Sequence, residues 1–172
     1  MKLRTIALIT AALIAPVLSA QESPRFGLQA GINIPQGDLS DAVDSKLGLN
    51  VGGHMMLDFR GGHMLRPRVD YTWFPEYNVG GASIKFSNLS LGADYLYFVD
   101  GKPEGFYFTG GLALVQWKAE VNSASETTNK LGLAIGGGYQ FNKTVGVELR
   151  YLKSKVEEAN LDTIQAGVTF QF

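Results

Sequence analysis

The sequence predicts an all-β fold, an eight-stranded antiparallel up-and-down barrel that crosses a membrane. Three observations carry that prediction. Residues 21–172 divide into eight segments in which apolar side chains alternate with polar or small ones, the period-2 pattern of a strand with two unlike faces. Short turns and longer polar loops join these segments in strict alternation, which is how membrane barrels are strung together. Aromatic residues gather at the segment ends, the level at which rings with a polar edge meet lipid headgroups.

The chain opens with a stretch of a different kind. Lys2 and Arg4 precede an apolar run from Ile6 to Val17, and Leu18-Ser19-Ala20 offers a small-residue cleavage site. This is the layout of a secretory signal peptide over residues 1–20, too short to serve as a spanning helix. Those residues hold two of the fifteen basic side chains and none of the sixteen acidic ones, so the mature part is slightly acidic. It shows no basic stripe, so no nucleic-acid partner is expected. With no cysteine in the chain, neither a lipid-modified N-terminus nor a disulfide is expected.

Each segment earns its place by alternation. In the first, Phe26, Leu28, Ala30, Ile32 and Ile34 stand against Gly27, Gln29, Gly31 and Asn33. The second sets Leu47, Leu49, Val51, Gly53, Met55, Leu57 and Phe59 against Gly48, Asn50, Gly52, His54 and Asp58. The third sets Leu65, Pro67, Val69, Tyr71 and Trp73 against Arg66, Arg68, Asp70 and Thr72. In the fourth, Leu89, Leu91, Ala93, Tyr95 and Tyr97 oppose Ser90, Gly92 and Asp94. The fifth, Phe106 to Trp117, is apolar on both faces around Leu112–Val115 and leaves its phase open. The sixth runs Leu131 to Phe141, the seventh Val145 to Tyr151 with Glu148 and Arg150 on the polar side, and the eighth Thr163 to Phe172. No apolar run approaches eighteen residues in the mature part, whereas tilted strands of about ten residues suffice to span.

The connections Arg60–His63, Val99–Gly105 and Asn142–Thr144 read as short turns. Pro35–Lys46, Pro75–Ser83, Ala119–Thr128 and Lys153–Asn160 read as long polar loops. Phe26, Phe59, Tyr97, Phe106, Phe141 and Phe172 fall at the short-turn ends, and Trp73, Trp117 and Tyr151 at the long-loop ends, so two girdles are expected. Both termini then lie on the short-turn side.

The polar face carries His54, Asp58, Arg66, Arg68, Asp70, Asp94, Glu148 and Arg150. A barrel of eight strands is just wide enough to be filled by its own side chains, and a charge confined there needs a partner. Arg66, Arg68, Asp70, Asp94, Glu148 and Arg150 are therefore expected to form a lumen plug. Glu148 should bridge to Arg66 or Arg68 across the interior, with Asp94 as a second acceptor. Counting outward from the turns puts Glu148 beside Gly138 and Arg150 beside Gly136, so the glycines leave room for the long side chains.

The last residues, Val168-Thr-Phe-Gln-Phe172, resemble the C-terminal signal of bacterial outer-membrane proteins, with Val168, Phe170 and Phe172 at alternating positions. The resemblance implies the barrel-assembly machinery as a partner during insertion. The stretch from Gly31 to Ser40, followed by Gly48-Leu-Asn-Val-Gly-Gly-His54, is similar to the first hairpin of the small "porin family" barrels of the OmpA/OmpX type. That likeness implies an outer-membrane location, with both termini periplasmic and lipid and lipopolysaccharide as surroundings. It further implies a monomer with a structural or surface-interaction role. The sequence stops at Phe172, and no peptidoglycan-binding domain is expected.

A narrow pore is the alternative, and it would need an open lumen. Some barrels that this one resembles edit lipid A. Such a hydrolase needs serine, histidine and an acid at one spot, and neither His54 nor His63 has a serine partner in view. No catalytic residue, cofactor or metal is therefore assigned. Asp38, Asp41 and Asp44 in the first loop lack the spacing of a calcium loop and are expected to be a solvated acidic stretch.

Overall fold

Alternation of side chains sends one face of each strand outward, and the ladder then has to close, because lipid solvates no free backbone group. The computed structural model describes residues 23–79, 82–121, 124–156 and 159–172. The expected signal peptide lies outside the described residues. Ten strands and one short helix follow in order: β1 (Arg25–Gln36), α1 (Asp38–Ala42), β2 (Gly48–Asp58), β3 (His63–Trp73), β4 (Tyr77–Val79), β5 (Ala82–Phe98), β6 (Gly105–Val121), β7 (Ala124–Gln140), β8 (Val145–Val156), β9 (Ala159–Asn160) and β10 (Asp162–Gln171). Eight of them are staves, in the order β10-β1-β2-β3-β5-β6-β7-β8, and β10 pairs with β8 to complete the circle. Every neighbouring pair is antiparallel.

The outward face is apolar. Leu28, Leu91, Leu112, Leu133, Ile135, Leu149 and Phe170 all lie between 47 and 64% exposed, a surface that only a hydrocarbon medium accommodates. The inward face is layered. At the short-turn end Met56, Met64, Leu96, Phe98 and Tyr107 form one buried apolar cluster. At the long-loop end Leu39, Val43, Phe74, Val115, Trp117, Ala134 and Leu152 form another. Between them the interior is polar and charged.

Leu39 and Val43 come from the first loop. Gly37, at φ 59°, turns the chain out of β1 into α1, and the helix drops Leu39 into the mouth of the barrel. The Asp38 carboxylate accepts the Asn160 backbone N–H at 2.7 Å and pins this lid to β9.

Two expectations from the sequence need correction. Three of the long loops are largely strand: β6 and β7 run to Val121 and from Ala124, β8 runs to Val156, and β4 pairs with the start of β5. Polarity marked these stretches as loops, but polarity reports only the solvent around them. Thr127 and Thr128 are good strand residues, and the ladder with β6 continues beyond the apolar band. The second correction is Trp117. It belongs to the lumen, not the girdle: it is 4% exposed and its indole N–H donates to Ser154 Oγ at 3.1 Å. The fifth segment sends its even-numbered residues outward, with Phe106, Phe108, Leu112 and Leu114 all more than half exposed, so Trp117 turns in. Phe26, Trp73, Tyr97, Phe106, Phe141, Tyr151 and Phe172 do face outward, whereas Phe59, at the end of β2, is only half-buried.

Candidate functional site: the charged lumen

Register brings the charges together before any side chain reaches across. β3 pairs Arg66 with Asp94 of β5 and Arg68 with His54 of β2. On the other side of the barrel, β8 sets Glu148 beside Gly138 and Arg150 beside Gly136 of β7. Small residues at these neighbouring positions are a steric need. A methyl group built on Gly111 would run into the Asp94 side chain, and one on Gly138 into the Tyr107 hydroxyl.

The six charged side chains form one connected belt. Glu148 Oε2 lies 2.6 Å from Arg66 Nη2, and Glu148 Oε1 lies 3.7 Å from Arg68 Nη1. Asp94 is the hub: its Oδ2 accepts from Arg66 at 2.9 Å, from Arg68 at 3.1 Å and from Arg150 at 3.1 Å. Asp70 accepts from Arg68 Nε at 2.6 Å and lies 3.8 Å from Arg150. Three guanidiniums therefore meet three carboxylates, and the belt carries no net charge. Its members are deeply buried, with the side chains of Arg66, Arg68, Arg150, Asp70 and Asp94 all at 4% exposure or less. At such burial, removing one partner costs several kcal/mol because its counter-ion is left unpaired.

Neutral groups complete the belt, and these the sequence reading did not single out. Tyr107 donates its hydroxyl to Glu148 at 2.9 Å. Gln165 accepts from Arg150 Nε at 3.0 Å, and the Gln29 amide donates to Asp70. Gln165 could have been found, since it is the register partner of Arg150. Tyr107 lay in the segment whose phase was open.

The other ionisable residues of the polar face do different work. His54 Nδ1 sits 3.0 Å from Gln29 Oε1, beside the belt and without a carboxylate partner among the described contacts. Asp58 lies outside the belt and accepts the Arg60 N–H at 2.6 Å, holding the turn where Arg60 takes φ 66°. His63 starts β3 on the outer surface, bonded to the Tyr95 hydroxyl and 5.1 Å from the Tyr97 ring. Neither histidine is bonded to a serine in these contacts. Among the described residues no group of three potential ligands could hold a metal ion.

The cavity bounded by Gln29, Asn50, Arg68, Glu148 and Gln165 measures about 30 Å³, room for one or two water molecules. Val168, Phe170 and Phe172 sit on the opposite face of the wall, 38, 47 and 78% exposed.

Comparison with solved structures places this architecture. The attachment invasion locus protein Ail of Yersinia pestis, solved with the heparin analogue sucrose octasulfate, superposes with a TM-score of 0.63 at 16% identity, over 87% of this chain and 97% of that one. Neisserial surface protein A, NspA, gives a TM-score of 0.57 at 20% identity, over 87% and 97%. The N-terminal β-barrel domain of OprF from Pseudomonas aeruginosa gives 0.50 at 15%, over 86% and 97%. At these identities the likeness concerns the fold. No curated protein matches the chain. The family model of the outer membrane protein beta-barrel domain matches residues 5–172, and with the closed eight-stave barrel and its apolar outer face, this chain belongs to that family.

Proposed function

We propose that the protein is a non-conducting, non-catalytic barrel of the bacterial outer membrane that acts through its surface, as an envelope component and as a contact platform at its long-loop end. The observation that carries this reading is the layered lumen, in which a charge-balanced belt is sealed between two apolar clusters. An ion entering there would have to break buried ion pairs and pass two apolar layers, each unfavourable in a low-dielectric interior. The named function of Ail in attachment agrees with a surface role for a barrel of this shape.

Several properties belong to the same reading. The long-loop end faces outward from the cell and both termini are periplasmic, because periplasmic turns of such barrels are the short ones. Residues 1–20 are removed on export. Val168, Phe170 and Phe172 present the alternating outward face read by the barrel-assembly machinery. The mature barrel sits as a monomer among lipid and lipopolysaccharide.

Planar-bilayer recording tests the reading. The refolded protein should give no stepwise current across a range of voltages. Reproducible unit steps would overturn it in favour of a narrow pore. Mass spectra of lipid A from cells expressing the barrel should match those from cells without it, and a new lipid A species would point to an enzyme.

A further inference from the structure

Near its short-turn end the outer wall is dented. The outward positions of β6 are Phe106, Phe108, Gly110 and Leu112, and those of β7 include Ile135, Gly137 and Tyr139. Register sets them in rungs. Phe108, Gly137 and Leu149 stand side by side across β6, β7 and β8, and Phe106, Tyr139 and Val147 form the next rung toward the short turns. Gly137 therefore leaves a gap between two large side chains, Phe108 at 66% and Leu149 at 58% exposure. The result is a groove of about 460 Å³ bounded by Phe106, Phe108, Gly137, Tyr139, Val147 and Leu149.

The groove has a stiff rim and a charged foot. Phe106 and Tyr139 meet edge to face with ring centroids 4.6 Å apart, and Tyr139 meets Phe141 in the same way at 5.1 Å. The rim cannot fold into the gap without giving up both ring contacts. Below it the chain turns through Asn142–Thr144, where Asn142 Oδ1 accepts the Thr144 and Val145 N–H groups at 2.8 and 3.0 Å. This pinned turn carries Lys143, which is exposed and forms no ion pair among the described residues. From Val147 down to Lys143 is about 13 Å at the rise of an extended strand. A lysine in that place lays its stem along apolar surface and keeps its ammonium at headgroup level. An apolar gap in a lipid-facing wall offers water no partner, and left empty it forfeits the contacts of its lining. A flexible hydrocarbon chain fills it, and a phosphate on the same molecule meets Lys143.

We propose that the groove across β6, β7 and β8 is a binding site for a phospholipid of the periplasmic leaflet, with one acyl chain lying over Gly137 and the phosphate paired to Lys143. The leaflet follows from the reading of the short-turn end as periplasmic, on which the proposal rests. The site differs from the general lipid contact of the wall because it fixes one molecule at two points, the chain by the gap and the headgroup by the ammonium.

The test uses the full chain refolded into vesicles of phosphatidylethanolamine and phosphatidylglycerol. These hold a trace of phosphatidylcholine with a diazirine midway along one acyl chain. After illumination, cross-links at Phe108, Tyr139, Val147 and Leu149 should exceed those at Phe26 and Leu28 of β1, which are about as exposed as Leu149, by about fivefold. Gly137→Leu fills the groove and should remove the excess, its folding being checked by migration in unboiled gels. Lys143→Gln disturbs no packed side chain, and in native mass spectra it should lower the fraction of barrel that retains one phosphatidylglycerol by about threefold. Equal cross-linking of both walls, an undiminished excess in folded Gly137→Leu, or unchanged retention in Lys143→Gln overturns the site. A dimer in place of the lipid adduct overturns it too. Orientation is read separately with Lys143→Cys, the sole thiol in a chain without cysteine, which should react with an impermeant maleimide only in permeabilised cells. Reaction in intact cells would overturn the periplasmic reading and leave the cross-linking result standing.

Discussion

Glu148 on β8 and Arg66 on β3 meet across the barrel at 2.6 Å, although neither strand is hydrogen-bonded to the other. The contact ties opposite walls of the barrel together, in a region where each ion depends on the other for solvation.

Glu148→Ala should therefore destabilise the folded barrel by about 3–5 kcal/mol, since it leaves the Arg66 guanidinium short of its closest acceptor. Urea unfolding in detergent, followed by the gel shift between unboiled and boiled samples, measures this. The apolar clusters above and below the belt should still keep the lumen closed to ions. A loss below about 1 kcal/mol, the range of an exposed pair, would mean that water already solvates Arg66.

The glycines beside the belt make a paired test. Gly111 faces inward against Asp94 and the Ala93 carbonyl, whereas the nearest atom to an added Cβ at Gly110 is the Ala134 carbonyl oxygen at 3.9 Å. Gly111→Ala should cost about 1–3 kcal/mol, as overpacking of a filled interior does. Gly110→Ala, one residue away on the outer face, should be close to neutral. Equal effects in the same urea titration would show that strand propensity, and not the packing around Asp94, sets the cost.

Phe172 tests the proposed assembly signal. Removal of this residue, 78% exposed at the end of the last stave, should lower the amount of barrel in the outer membrane several-fold. The urea midpoint of protein refolded in vitro should move little, because an exposed terminal side chain makes few contacts. Parallel losses in both measurements would reduce Phe172 to an ordinary girdle residue.

Much of this was legible in the sequence because alternation is a local signal. A strand between lipid and a polar lumen has to change character at every residue, so Leu89 to Tyr97 declares both its conformation and its faces. Counting from the turns also placed Arg66 by Asp94 and Glu148 by Gly138, since antiparallel register follows once a short turn is located. Legibility failed where the two media stopped differing. Around Leu112–Val115 both faces are apolar, because the inward face there joins the cluster under the lid, and the phase that buries Trp117 and Tyr107 was lost with it. Beyond the apolar band both faces are wet, and the strand extension of β7 through Glu126 and Thr128 looked like loop. The role of Asp94 as hub was out of reach as well, because three arginines from two strands converge on it only in the closed barrel.

The belt has a consequence for how the molecule enters its membrane. Its carboxylates and guanidiniums sit on the paired strands β3 and β5 and, across the barrel, on β8. A partly rolled sheet would have Asp94 near Arg66 but Glu148 and Arg150 still unmatched, with bare ions facing hydrocarbon. Every intermediate short of closure is thus penalised by the very charges that later hold the walls together. Insertion and closure become a single cooperative event, with the belt serving as its latch.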